Sequence, residues 1–357
     1  MKQKITFLTD DGLQEFVKQE LKERFKEEST IENKLITTNI DLNKAYQIMY
    51  NSQTIKGCLL ELEKGKFNKL EEITLPFQKI KDIIQEQTCK IAVQREGTHE
   101  FNSVQAEKEI GIKLQEQTNL NYDFKNPEIT INIIINNNDY VLGIDIAGRD
   151  LSKRQYKIFN HPNSLKGPVA FSAIMLAGLN NSLLDPYSLS GVIPIEAAIY
   201  QSGMPVNYFE KKFALNKIKS INLDTKTSKI NKTPKKVYSL DENFKNISAQ
   251  KKNAKIAGVE KHIEFSRTKL RDLDLKFYEI KPDVMVTIPL ESSKRISEKS
   301  QRSYSETLFE QAENILTKKI IVLITKKQIT ETFKFKITKQ VKVMQGQQEL
   351  YITRLEK

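Results

Sequence analysis

The stretch LDPYSLSGVIPIEAA, residues 184–198, decides how this chain is read. A short apolar run ends in Asp185. A tight turn follows through Tyr187, Ser188, Leu189, Ser190 and Gly191, and an amphipathic helix starts near Ile193. A strand, a close turn and a helix N-terminus in that order make a nucleotide-type cofactor site. The turn lets backbone amides approach the ligand, and an acid anchors it. Leu189 stands where such turns usually carry glycine. A leucine reaches positive φ only at a cost of about 1–2 kcal/mol, and its side chain crowds the approach to a ligand.

Around this stretch, from about residue 160, helices and strands alternate, which predicts a doubly wound α/β sheet. Its strands are expected at 181–184, 237–241, 261–266, 283–287, 319–324, 332–337 and 348–354. The first 65 residues read as a smaller α/β unit. It has strands at 5–9, 35–40 and 58–63, a helix 13–25 with Leu13, Phe16, Val17, Leu21 and Phe25 on one face, and a helix 42–52 capped by Asp41. A second unit follows, with a helix from Pro76, a strand 90–97, a helix 103–117 and a hairpin 128–146 across an Asn-rich turn. Residues 211–236 hold nine Lys against one Asp, and most of that stretch reads as an exposed basic insertion or loop.

Composition narrows the function classes. At 357 residues the chain can bury two or three cores. No apolar run reaches the ~18 residues of a membrane span, and MKQKITFLTDD at the start lacks a signal-peptide apolar region. Two cysteines, Cys58 and Cys89, make neither a disulfide framework nor a zinc site. His99, His161 and His262 are too scattered for a metal centre, so no metal and a cytoplasmic location are expected. Lys plus Arg outnumber acids 57 to 45, and the net charge of +12 favours a polyanionic partner, most often nucleic acid. A proteome rich in Lys, Ile and Asn would give the same drift.

VQREGTHEFNS (93–103) and LGIDIAGRDLSKRQYK (142–157) carry Arg95, Gly97, His99, Phe101, Ser103, Gly148, Leu151, Arg154 and Tyr156. In content and spacing they resemble a THUMP domain, an RNA-binding module of tRNA-modifying enzymes. The preceding stretch, with GLQEFVKQEL at 12–21, resembles the ferredoxin-like domain that often precedes THUMP. The resemblance implies tRNA, or another structured RNA, as partner. Arg95, Arg149, Lys153 and Arg154 suit phosphate contacts, and Phe101 and Tyr156 suit base stacking. Phe101 reads first as a core residue behind the helix start, Asn102 or Ser103 first as a helix N-cap, and His99 as a loop hydrogen-bonder. Asn102, Ser103 and His99 are carried as RNA-side candidates with the rest.

HPNSLKGPVAFSAIMLAGL (161–179), the opening stretch and VYSLDENFKNISAQKKNAKIAGV (237–259) resemble in order the Rossmann-type methyltransferase domain that follows THUMP. That group uses S-adenosylmethionine and methylates guanine N2 in tRNA, with relatives acting on large-subunit ribosomal RNA. The resemblance implies three domains: ferredoxin-like (1–70), THUMP (71–156) and methyltransferase (157–357). It places the cofactor at His161, Pro162, Asp185, Tyr187, Ser188, Ser190, Gly191, Asp241 and Glu242. Asp241 would accept ribose hydroxyls, or would cap a helix. Glu196 reads as a first-turn helix residue.

The departures cluster. Leu189 and Val192 replace a glycine and a threonine of the family turn. Lys269, in IEFSRTKLRDL (263–273), stands where the family has an adenine-contacting Asp, and Asp272 serves only under a shifted register. Where the family carries Asn or Asp, Pro-Pro and an aromatic, this chain has Ile288, Pro289, Leu290 and Glu291, leaving Pro289 and Glu291 as the catalytic candidates. Losing the acceptor for guanine N2–H costs roughly 2.7–4 kcal/mol and losing the stack roughly 1–3 kcal/mol more. Together that is about three to five decades in rate. Two readings therefore stay open: a guanine-N2 methyltransferase, and a catalytically silent tRNA-binding adaptor, chaperone or partner subunit. A monomer is expected. A nicotinamide-type oxidoreductase is disfavoured, because no G-x-G-x-x-G occurs.

Overall fold

The computed structural model describes residues 2–221, 234–291 and 297–357. Two compact units emerge. The first contains Val17–Leu151, the N-terminal strand and a segment beginning at Asn207; the second contains Asp10–Phe16, Ser152–Val206 and the C-terminal part of the chain.

In chain order the elements begin with β1 (Gln3–Leu8), α1 (Gln14–Glu20), β2 (Thr30–Glu32), β3 (Leu35–Ile40), α2 (Leu42–Asn51) and β4 (Gly57–Lys66). They continue with α3 (Phe77–Ile84), β5 (Cys89–Glu96), α4 (Ser103–Thr118), β6 (Ile129–Asn136) and β7 (Asp139–Asp145). One sheet of order β2-β3-β1-β4-β7-β6-β5 holds all seven strands, so the stretches 1–70 and 71–156 share a single sheet through the β4–β7 ladder. Asp41 caps α2 by accepting from the Lys44 amide, and Asn102 caps α4 in a reciprocal capping box with Gln105. Leu13 and Phe16 belong to the core of the second unit, and Val17, Leu21 and Phe25 to that of the first, so the apolar face expected over 13–25 is not a single seam.

The second unit comprises α5 (Gly167–Ala177), β8 (Leu183–Asp185), α6 (Val192–Ser202), β9 (Val237–Asp241), α7 (Phe244–Ile256), β10 (Ile263–Arg267) and α8 (Leu273–Lys276). It ends with β11 (Val284–Thr287), α9 (Glu298–Ile315), β12 (Ile320–Thr325), β13 (Lys336–Gln345) and β14 (Gln348–Glu356). Its sheet runs β10-β9-β8-β11-β12-β14-β13, the first five strands parallel, β14 antiparallel to β12 and β13 antiparallel to β14. Val284, Val286, Val322 and Ile324 pack into one core, and Met285, Ile321 and Leu323 into the other. Both faces are covered, and for that reason these strands read as unbroken apolar runs.

Two sequence expectations need correction. The strand expected at 332–337 begins instead at Lys336 and runs to Gln345, because Phe333 turns the chain at φ 51°. The segment expected to be an exposed insertion from 211 starts as a packed strap of the first unit. Phe213, Leu215 and Ile218 are buried in its core; residues 222–233 lie outside the described residues.

Candidate functional site: the β8–β11 switch point

The strand order reverses between β8 and β11, and there an open α/β sheet leaves a crevice at the strands' carboxyl ends. Asp185 ends β8, Asp241 ends β9 and Thr287 ends β11. The Thr287 hydroxyl donates to Asp185 Oδ1 at 2.7 Å, the Tyr187 amide donates to the same oxygen at 3.2 Å, and Ser188 Oγ donates to the Asp185 carbonyl at 2.8 Å. The turn is tied to β9 by the Ser188 amide on the Leu240 carbonyl, 2.9 Å. From α7, Gln250 Nε2 donates to the Leu189 carbonyl (3.2 Å) and Asn253 Nδ2 to that of Ser190 (2.9 Å). Ser190 Oγ lies 2.8 Å from Ser164 Oγ.

Leu189 takes φ 52° and Gly191 φ 85°. At Gly191 a side chain would be strained, and its Cβ would also press on Gln250 at 3.1–3.3 Å. At Leu189 the left-handed backbone is adopted despite its Cβ, and the side chain is buried. Leu189 therefore holds a left-handed backbone that favours glycine.

Asp241 accepts three hydrogen bonds from the protein. Oδ1 accepts from the Asn243 amide at 2.8 Å, and Oδ2 from the Leu189 amide at 3.1 Å and Asn246 Nδ2 at 3.0 Å. It does not cap α7; Asn243 does. Burial pushes the Asp185 carboxyl up to about 7, against the pull of its three donors and with help from the nearby Asp241 charge. Asp241 is also raised, by burial first. His161 and Pro162 lie on the connection before α5, where the Ser164 amide bonds the His161 carbonyl at 2.9 Å. Glu242 is exposed, and its carboxylate accepts from the Leu270 amide at 3.3 Å. Lys269 is exposed, and Asp272 sits 3.6 Å from Arg271.

Beyond β11 a cleft of about 280 Å³ is lined by Tyr187, Ile288, Pro289, Leu290 and Glu291, with Pro162 and Lys326 among its other walls. Glu291 is tied to Lys326 there. One carboxylate oxygen takes the Lys326 amide at 2.6 Å, and the other lies 3.7 Å from its ammonium.

On the RNA side, Arg95 is exposed and donates to His99 Nδ1 (3.3 Å), while His99 Nε2 meets the Asn137 carbonyl at 2.8 Å. That arrangement fits a neutral ring with its proton on Nε2. His99 stacks on Phe67 and packs against Phe101, which is half-buried on the first core. Asn102 spends its side chain on the cap, Ser103 opens α4, and Lys153 is exposed. Two expected phosphate contacts are corrected. The Arg154 side chain is 2% exposed and forks onto the fully buried Glu196, Nε at 2.7 Å from Oε1 and Nη2 at 3.2 Å from Oε2. Tyr156 donates to the same carboxylate at 2.7 Å, so it is no stacking platform. Arg149 is committed to the protein through Lys212, Asn207 and Glu210.

Residues 154–354 match the model of the RMKL-like methyltransferase domain, and residues 64–145 match that of the THUMP domain. The chain belongs to the RMKL-like methyltransferase family. It is 29% identical over 296 residues to the tRNA (guanine(6)-N2)-methyltransferase of Methanocaldococcus jannaschii, covering 77% of each chain. To the ribosomal RNA large subunit methyltransferase K/L of Vibrio parahaemolyticus it is 26% identical over 160 residues, 41% of this chain and 23% of that one. Among solved structures, TrmN from Thermus thermophilus superposes with a TM-score of 0.72 at 18% identity, covering 99% of both chains. SMU.472 complexed with SAH gives 0.78 at 16%, covering 99% and 97%.

For an RMKL-like methyltransferase domain, two features of this site escaped the sequence. Tyr304 of α9 meets Tyr187 edge-on at 6.2 Å. Its hydroxyl is held neutral by burial and by the neighbouring Tyr187, Asp185, Glu242 and Asp241. No local signal marks Tyr304, since α9 reads as an ordinary polar helix. The Arg154–Glu196–Tyr156 cluster escaped because its members lie 40 and 42 residues apart. Gly167, at the start of α5, is the remaining clue: a Cβ there would collide with the Arg154 guanidinium and the Glu196 carboxylate.

Proposed function

We propose that this chain is a tRNA-binding member of its family that takes S-adenosylmethionine at the Asp185–Gly191 turn and acts on guanine N2 in tRNA. One observation carries the reading. The turn keeps its left-handed backbone at 189 and 191, between two buried carboxylates at the switch point, even with a leucine at the first position. The residues fit the cofactor: His161, Pro162, Tyr187, Ser188, Ser190, Gly191 and Glu242 surround the place, and Asp185 and Asp241 flank it. When bound, S-adenosylmethionine supplies an electrophilic methyl group on a sulfonium cation. The protein's part is electrostatic and positional. Ionised Asp185 favours a cationic ligand, and α7 fixes the turn through Gln250 and Asn253. Arg95, His99, Phe101, Asn102, Ser103 and Lys153 remain the proposed RNA-side residues. The protein is proposed to work as a cytoplasmic monomer; of the proposed domains, 1–70 and 71–156 share one sheet, and the strap from Asn207, inside 157–357, packs with them.

A second reading, a tRNA-binding adaptor without turnover, is favoured by the loop after β11. The Ile288 side chain offers no acceptor, and Glu291 is held by the Lys326 amide and ammonium. Transfer of a labelled methyl group to an unmodified tRNA transcript separates the two. Transfer to guanine N2 supports the first; calorimetric cofactor binding with no transfer supports the second; absence of cofactor binding removes the first.

A further inference from the structure

The segment from Asn207 to Ile221, basic enough to read as a loop, is fixed to the first unit along its whole length. The Asn207 amide donates to the Tyr50 carbonyl (3.2 Å), and Tyr46 Oη donates to that of Lys211 (3.0 Å). The Ala214 and Leu215 amides bond the carbonyls of Ala147 and Ile146, and Gln87 bonds Lys217 and Lys219 through both ends of its amide. Phe213, Leu215 and Ile218 are buried, while Lys211, Lys212, Lys217 and Lys219 are exposed. Arg149 clamps the strap. It donates to the Lys212 carbonyl at 2.8 Å, to that of Glu210 at 3.0 Å and to Asn207 Oδ1 at 3.1 Å, and it lies 4.8 Å over the Phe213 ring.

We propose that this strap is a second RNA-binding surface, on which Lys211, Lys212, Lys217 and Lys219 contact backbone phosphates and Phe209 stacks on an unpaired base. Among the described residues none of the four lysines forms an ion pair, whereas Lys4, Lys34 and Lys64 of the same unit are paired with Glu61, Glu96 and Glu32. The one acid of the strap, Glu210, faces Arg149 at 3.5 Å. Phe209 is 64% exposed, with its ring 5.1 Å from and perpendicular to that of Tyr208, over which Lys211 lies at 5.1 Å. Exposed lysines beside an exposed aromatic on a fixed backbone are what a sequence-independent RNA contact needs. The surface gives Arg149 its role: it positions the strap and does not itself touch RNA. The inference rests on the tRNA-binding reading.

The test is a titration of the full chain against an unmodified tRNA transcript across a range of salt. It compares the unaltered chain, a variant carrying Lys211→Gln, Lys212→Gln, Lys217→Gln and Lys219→Gln, and a control carrying Lys261→Gln, Lys281→Gln, Lys299→Gln and Lys336→Gln. The strap variant should lower the slope of log affinity against log salt by about 0.7–0.9 per contact, near 3 in all, and bind more than tenfold more weakly at 0.15 M salt. The control should change affinity less than threefold. Phe209→Ala should weaken binding by roughly 5- to 150-fold. An unchanged slope in the strap variant, or equal losses in strap and control variants, would overturn the strap proposal while leaving tRNA binding intact. No tRNA affinity in the unaltered chain would overturn the tRNA reading and the strap with it, and so would capture by phosphatidylserine vesicles in place of tRNA.

Discussion

Asp185 shows how much a single buried side chain controls here. Folding removes its carboxylate from water, and three donors recover only part of that loss. The folded protein holds a proton on Asp185 up to about pH 7, whereas the unfolded chain releases it near pH 4. Between those values the folded state binds more protons, so stability falls as pH rises and levels off above about 7. Asp185→Asn keeps an oxygen for Thr287 and Tyr187 and removes the charge. It should raise the melting temperature at pH 8, by an amount worth a few kcal/mol, and change it little near pH 4. Thermal melts at the two pH values check this, and a lower melting temperature at pH 8 would contradict it. Leu189 balances two effects: about 1–2 kcal/mol of backbone strain against roughly 1.5–3 kcal/mol from its buried side chain. Leu189→Gly should lower stability by about 1 kcal/mol and tighten cofactor binding, as melts and calorimetry would measure.

At the scale of elements, α6 is held by a buried ion pair. Glu196 faces inward from α6, and Arg154 and Tyr156 meet it from the chain before α5. Removing one partner leaves an uncompensated buried charge, so Arg154→Met should cost about 3–5 kcal/mol. Arg154→Met combined with Glu196→Leu should recover much of that loss in denaturant unfolding. If the single variant were neutral, the buried pair would be refuted. The same elements mark what the sequence could and could not tell. Strands such as IIVLIT, buried on both faces, announce themselves as apolar runs, and Asp41 and Asn102 cap helices where a short polar residue precedes an apolar pattern. The strap was hidden because Phe213, Leu215 and Ile218 are diluted by lysines. Arg154 was misread because SKRQYK has the look of a phosphate-binding run, and only the fold brings Glu196 to it. The edge strand β13 was misplaced because its lysines and polar residues conceal the alternation, as suits an exposed sheet edge.

At the scale of the whole molecule, chemistry and recognition depend on different physics. The net charge of +12 gives a long-range attraction for RNA that salt screens, so tRNA affinity should fall steeply with ionic strength; a flat dependence would contradict it. Cofactor binding depends on a few buried groups at the switch point and should respond to pH. The cysteines take no part in either, since burial pushes the Cys58 thiol up and that of Cys89 to about 11. The switch-point turn with Asp185 and Asp241 is the proposed cofactor place, and the loop after β11 carries Ile288 and Glu291 beside it. The most direct test of the central claim is a calorimetric titration of S-adenosylmethionine into the full chain at pH 8 and at pH 6. One saturable site is expected, weaker at pH 6, where Asp185 carries its proton. An absence of binding at both pH values would contradict it.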